Sequence, residues 1–303
     1  MTNLKGNYAS KLVACLLAVY IIWGSTYLGM KIATRVIPPF MLSAVRFLLA
    51  GAIMLTIGII KEKTWPERKQ LLSAMLIGVM LIGMGNTVTA LGVHYMPSGL
   101  VALLVAAVPA WIIGFDWAFF SKQRPSTLTL LGIGVGFCGL FLLFNPFGSH
   151  HETREYPLWP VAVVTGGCIS WALGTLLIKR LPMPAQLTGT GIQMFTGGVF
   201  ALLLSFLMEP GAINTISQNT SEGILAYFYL VFVGSLVGFG SYSWLSKNAP
   251  PRLTATYAYV NPIVALILGF LVGKEALSPI VGVAAAIVIS GVVLMTLGKK
   301  TSK

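Results

Sequence analysis

Long apolar stretches alternate with short polar ones along this chain, and each stretch is close to twenty residues. They run roughly over 11–32, 38–60, 69–93, 98–121, 127–145, 158–179, 185–208, 223–246, 252–272 and 278–297. At helical rise, about twenty residues reach about 30 Å, the thickness of a bilayer's hydrocarbon core. The apolar positions are continuous and lack period-two alternation, so the stretches are predicted to be helices and not barrel strands. The pattern therefore predicts an all-α integral membrane protein of ten transmembrane helices. Lys5 and Lys11 before the first run resemble a signal peptide. That run is too long and no clean small-residue cleavage site follows it, so it reads as the first span.

The pattern also repeats. WGSTYLGMK, from Trp23 to Lys31, matches WALGTLLIK, from Trp171 to Lys179. MPSGLVALLVAAVP, from Met96 to Pro109, matches APPRLTATYAYVNP, from Ala249 to Pro262, with Pro97 and Pro109 answering Pro250 and Pro262. Offsets of 148 and 153 residues describe one duplication with small insertions. The expected units are a first five-helix repeat over 1–148 and a second over 156–303, joined by a loop at 145–157. Duplicated halves meeting in a membrane are a transporter's architecture more often than an enzyme's.

Composition agrees with a bilayer as solvent: 56% of residues are hydrophobic and 9% charged, against about 25% charged in soluble domains. The net charge of +12 raises the question of nucleic acid, and its distribution answers it. With the N-terminus in the cytoplasm, fifteen Lys and Arg fall in cytoplasmic segments, four (Lys31, Arg35, Arg154, Lys274) fall outside, and Arg46 lies within a span. That is the positive-inside bias, which predicts both termini in the cytoplasm of a cell (inner or plasma) membrane and no nucleic-acid partner. Five spans per copy then turn the second copy upside down, giving two inverted repeats.

Candidate chemistry is sparse. Pro109 and Pro262 lie midway along matching spans, where each frees a carbonyl four residues earlier, so they are candidate hinges. Asn86 and Asn261 bring carboxamides near the midplane, where each must find a partner or a substrate. Trp23 and Trp171 are repeat-mates too deep for an interfacial belt, and Trp111, Tyr242, Tyr257 and Tyr259 are also deep. Aromatic walls with few charges suit amphipathic solutes, although aromatics at helical spacing also build cores. Arg46 lies about 12 Å along its span from Pro38, where a lone charge is costly, and its repeat-mate is Gln193. It reads either as an anion contact or as a side chain bonding carbonyls at a helix break. Asp116 is the remaining carboxylate candidate for proton coupling, with Lys122 or Arg124 as its expected neighbour.

No cofactor or metal is expected. Cys15, Cys138 and Cys168 fall inside spans as packing residues, and His150 and His151 read as part of a polar loop. An intramembrane enzyme would need a nucleophile with a base, and the only candidate His near a span, His94, sits at its edge without HExxH or GxSxG. Gly132 and Gly136 in span 5 give the GxxxG spacing of a possible homodimer, or of internal packing.

WGSTYLGMK, PPFMLSAVRFLLAG, YMPSGLVALLVAAVP and TYAYVNPIVALILGFLVGKEALS together resemble the EamA branch of the drug/metabolite transporter superfamily, over Leu12 to Gly298. The resemblance implies ten helices, two inverted five-helix repeats, a central cavity and export of metabolites such as amino acids. It also implies a loop anchor at the glutamate of the GKE turn. The second copy has Glu275 there, and the first departs with Gln123 in FFSKQRPS. The expected function is alternating-access transport of small metabolites, with carriers of phosphorylated or nucleotide-linked sugars, or a lipid flippase, as the alternative.

Overall fold

The computed structural model describes residues 2–144, 156–212, 220–249, 251–254, 256–276 and 278–298. The linker between the halves, with His150 and His151, lies outside them. Every regular element among the described residues is helical. In chain order these are α1 (Thr2–Ala33), α2 (Pro39–Glu62), α3 (Arg68–Tyr95), α4 (Ser98–Phe120) and α5 (Thr127–Phe144). The second half holds α6 (Trp159–Ile178), α7 (Gln186–Met208), α8 (Ser221–Phe228 continuing through Gly238–Asn248), α9 (Tyr257–Leu271) and α10 (Pro279–Gly298). Among the described residues, eight helices are long and apolar enough to cross a membrane, and Thr127–Leu143 and Tyr257–Leu271 are shorter apolar helices. The apolar run expected over 252–272 is shortened because Thr256 interrupts it. Its hydroxyl donates to Leu253 O at 2.5 Å and also meets the Tyr20 hydroxyl of α1. A separate helical turn, Pro251–Thr254, precedes the break.

Helix packing respects the duplication. The α2–α7 and α5–α10 pairs are the most extensive, α1 lies against α8 and α9, and α6 lies against α3 and α4. Exchanging the halves maps this pattern onto itself. Glycines let α2 and α7 approach: a Cβ on Gly51 would sit 2.8 Å from Phe195 Cα, and one on Gly191 would sit 2.5 Å from Leu55 Cα. Close backbone approach of this kind replaces the hydrophobic drive that lipid removes. The GxxxG face of α5 is used the same way inside the chain, where Gly132 meets the backbone of Gly291 and Met295 in α10. Phe47, Leu42, Leu103 and Met194 are fully buried, while Leu17, Ile60, Phe206 and Leu271 face outward.

Reciprocal braces tie α2 to α7. Glu62, at the end of α2, accepts from Leu187 N and Thr188 N at 2.9 Å and from Thr188 Oγ1 at 2.8 Å. Glu209, just past the end of α7, accepts from Phe40 N at 2.8 Å, Met41 N at 2.9 Å and Ser205 Oγ at 2.8 Å. Each carboxylate satisfies orphan N–H groups at its partner's start and meets the positive end of that helix dipole. The two helices therefore run antiparallel.

Both α3 and α8 widen into π-helix midway, over Val79–Asn86 and Tyr229–Val237. A buried hydroxyl serves a carbonyl five residues back in each case: Thr87 Oγ1 to Ile82 O and Ser235 Oγ to Leu230 O, both at 3.0 Å. The proline pair is unequal. Near Pro109, α4 breaks between Ser98–Val105 and Val108–Phe115, whereas Pro262 sits inside the unbroken Tyr257–Leu271.

Candidate substrate pathway

The sequence candidates separate into several neighbourhoods. Trp23 of α1 stands among rings from α8 and α9, with centroids 5.1 Å from Phe239, 5.0 Å from Tyr242 and 5.3 Å from Tyr257. Its indole lies on Gly238, where a Cβ would fall 2.6 Å from Trp23 Nε1. Asn261, 6% exposed, sits beside this cluster. In the amide orientation that satisfies both ends, its nitrogen donates to Tyr20 O and Tyr257 O at 3.3 Å. That bonding joins α1 to α9 next to Pro262.

Arg46 of α2 meets α8 at Ser235, about one turn before Gly238. It is 3% exposed, donates from Nε to Ser235 Oγ at 2.9 Å, and holds its guanidinium 4.6 Å from the Phe47 ring centre. Ser235 is itself pinned to Leu230 O, so the acceptor is fixed by the π-helix. A Cβ on Gly234 would come within 3.3 Å of Arg46 Nη2 and 3.0 Å of Thr26 Cγ2, so a larger residue there would press on the guanidinium by a few tenths of an ångström. Around it, Ser25 Oγ and the Tyr229 hydroxyl lie 2.5 Å apart, and Thr26 Oγ1 donates to Trp23 O at 2.6 Å. No ion pair reaches Arg46 among the described residues. The charge is held by one hydroxyl and an aromatic face, and its remaining N–H donors can take a planar anionic group.

The matching neighbourhood of the first half is different. Trp171 of α6 lies on Gly85 of α3, where a Cβ would fall 2.9 Å from Trp171 Cε3. Counting 153 residues back from Phe239, Tyr242 and Tyr257 gives Asn86, Thr89 and Leu104, so the rings that crowd Trp23 have smaller or polar counterparts in the first copy. Asn86 Oδ1 is buried with no donor in reach, which is costly unless a ligand or water supplies one. Trp111 joins neither group; it stacks at 6.0 Å on Phe115 and meets Phe137 of α5 at 5.5 Å. Gln193 lies at the α7–α3 contact, where its backbone abuts Gly78.

Asp116 takes a different neighbour from the one its sequence position suggests. Its Oδ1 pairs at 3.5 Å with Nη2 of Arg180, just past the end of α6, with the two side chains 39% and 38% exposed. The chain turns at Lys122, whose φ is 53°, while the end of α6 comes alongside. The inward-acting carboxylates are Glu62, Glu209 and Glu275, and sequence reasoning missed the first two. Their shared position at the ends of repeat-mate helices, 147 residues apart, is the signal that marks them.

Glu275 grips the start of α4. It accepts from Ser98 N at 2.8 Å, Ser98 Oγ at 3.0 Å and Gly99 N at 3.4 Å. The loop anchor is thus a helix cap and not a local salt bridge.

The model of the EamA-like transporter family matches residues 10–145 and 158–297, one copy on each half. This chain belongs to the EamA-like transporter family. It is 37% identical over 289 residues to the uncharacterised inner membrane transporter YedA of Escherichia coli strain K12, covering 95% of this chain and 91% of that one. Protein PecM of Dickeya dadantii strain 3937 is 28% identical over 294 residues, covering 92% of both chains. A protein crystal structure shares the fold at a TM-score of 0.64 and 18% identity, over 95% of this chain and 97% of that one. Membership, with the apolar helices, makes the protein a multi-pass membrane transporter and not an enzyme.

Proposed function

We propose that the protein is a secondary transporter that exports small carboxylate-bearing metabolites such as amino acids by alternating access. The observation that carries this reading is Arg46, a buried guanidinium with one hydroxyl partner and no ion pair among the described residues. A substrate carboxylate completes its bonding, and the rings around Trp23, one turn along α8, offer a wall for an apolar or aromatic body. The orphan Asn86 Oδ1 calls for a donor such as an ammonium group. A sugar phosphate or nucleotide sugar would ask for several deep cations, and Arg46 is the one buried Lys or Arg among the described residues.

Counting Thr127–Leu143 and Tyr257–Leu271 as spans gives ten helices in two inverted repeats. The antiparallel α2–α7 pair supports that inversion, and the basic residues orient both termini to the cytoplasm. The name of the relative YedA supports an inner-membrane location. The two halves rock about the midplane, with Pro109 and Pro262 near the bending regions. Asp116, exposed and paired with Arg180, is the candidate for coupling to protons.

The test is counterflow in proteoliposomes with a panel of amino acids, sugars and purines, with and without a pH gradient. Carboxylate substrates are expected to exchange. Arg46→Gln is expected to reduce their uptake by about a hundredfold, equivalent to about 3 kcal/mol for a buried charged hydrogen bond. Arg46→Lys should retain part of it. Uptake of uncharged sugars alone, indifferent to Arg46, would sink the proposal; full gradient-driven uptake by Asp116→Asn would remove only the coupling role.

A further inference from the structure

The α3–α4 corner is held from two sides by opposite charges. Lys31 of α1 donates to His94 O at 3.3 Å and Met96 O at 3.1 Å, at the carbonyl end of α3. Glu275, after α9, takes the two amides and the Ser98 hydroxyl at the N–H end of α4. Each charge meets the helix end of opposite sign, and charge-assisted bonds are about twice as strong as neutral ones. The acid is presented by a fixed turn. Lys274 has φ 53°, and Glu275 N donates to Gly269 O at 2.9 Å. Glycine at 269 leaves the carboxylate its place, since a Cβ there would lie 2.6 Å from Glu275 Oε2 and push it off its partners.

The α8–α9 corner occupies the corresponding place in the second copy, and its matching turn has the same backbone: Lys122 also has φ 53°. Its chemistry differs at three of the matching positions. Gln123 replaces Glu275, Trp117 stands at the place of Gly269 six residues earlier, and Pro251 stands at the place of Ser98 with no N–H to give. Lys179, the mate of Lys31, is exposed. Hydroxyls hold this corner instead. Tyr8 donates to Asn248 O at 2.5 Å, and Tyr20 meets Thr256.

We propose that Lys31 and Glu275 form the latch of one gate, so that the resting carrier is shut at the α3–α4 corner and opens at the α8–α9 corner. The inference rests on the alternating-access reading above. In the orientation proposed there, the latched corner faces outward and the carrier waits open to the cytoplasm, the side from which an exporter loads. Glu275 is a positioning residue: it touches the gate, not the substrate.

The test follows Ser25→Cys, which lies below the latch beside Tyr229, in a chain whose Cys15, Cys138 and Cys168 are replaced by alanine. Labelling by a membrane-impermeant maleimide is timed in right-side-out and inverted vesicles, alongside amino-acid counterflow. With the latch intact, labelling is expected to be faster from the cytoplasmic face. Glu275→Gln should raise the rate from the outer face about tenfold, the scale set by lost charge-assisted bonds. Lys31→Met should shift it the same way, and Glu275→Asp should restore part of the bias. Unchanged sidedness in both Glu275→Gln and Lys31→Met, with counterflow still present and both proteins monodisperse, overturns the latch and leaves the carrier reading standing. Equal rates from both faces in every chain, with no saturable counterflow, overturns the carrier reading and the latch with it.

Discussion

The corner joining α3 to α4 and the corner joining α8 to α9 are made from two copies of one design, yet only the first is closed by charge. The two turns share a backbone, as the two left-handed lysines show, while the side chains built on it differ. A charged corner resists opening because five hydrogen bonds must break at once. A hydroxyl corner yields one bond at a time, each worth about 1 kcal/mol net. Symmetry of fold can therefore coexist with asymmetry of gating, and the difference lies in a few side chains at the helix ends.

The α2–α7 brace is the control for that comparison, because there both copies kept their acid. Glu62→Gln and Glu209→Gln should each cost about 2 kcal/mol, since an amide NH₂ turned toward backbone N–H groups replaces charge-assisted bonds. Together they should cost about 4 kcal/mol, additive within about 0.5 kcal/mol because the two sites lie at opposite ends of the pair. Thermal unfolding of the detergent-solubilised protein measures both. If one variant cost three times the other, the brace would not be symmetric and the corners would lose their reference.

A smaller effect is expected where each of the repeat-mate tryptophans rests on a glycine. Gly238→Ala presses on Trp23, which Phe239, Tyr242 and Tyr257 confine at 5.0 to 5.3 Å. Gly85→Ala presses on Trp171, which has no such ring cage among the described residues. Both gain the same helix propensity, about 1 kcal/mol, so their difference reports on how far each indole can move. Overpacking predicts that Gly238→Ala is the worse by about 1–2 kcal/mol. Tryptophan emission should shift only where the ring is forced aside. Equal losses would mean that Trp23 is no more confined than Trp171.

Much of this was legible in the chain. Twenty-residue apolar runs specify helices because lipid leaves the backbone no other partner, and the internal repeat marked Trp23, Trp171, Pro109 and Pro262 before any contact was known. Arg46 stood out because a lone charge in a span needs a reason. What stayed hidden were contacts between residues far apart in sequence. Ser235 is one serine among many until the π-helix aims it at Arg46. Glu62 and Glu209 look like ordinary loop charges until α2 and α7 lie side by side. The Thr256 hydroxyl at the break meets a tyrosine 236 residues away, a contact that no local pattern encodes. Trp111, which looked like a wall of the pathway, faces α5 because its side of α4 continues into Phe115 and Phe119.

The smallest effect is the most demanding of the comparison, because it asks for the missing latch to be rebuilt. Trp117→Gly, Gln123→Glu and Pro251→Ser together restore the three features that the α8–α9 corner lacks. The turn at Lys122 already has the backbone that presents Glu275 in the other copy, so the new carboxylate needs no rearranged loop. Only part of the grip returns, because Lys179 remains exposed and the break at Thr256 weakens the helix start it would cap. One new charge-assisted bond, about 1 kcal/mol net, shifts a two-state equilibrium about fivefold. Labelling of Ser25→Cys should accordingly slow about fivefold from the cytoplasmic face and quicken from the outer one. Pro251→Ser alone supplies an N–H with no acid to receive it and should leave the sidedness unchanged. If that single change moved the bias as far as the triple one, the corners would differ through proline stiffness, and charge would not be the reason one gate is shut.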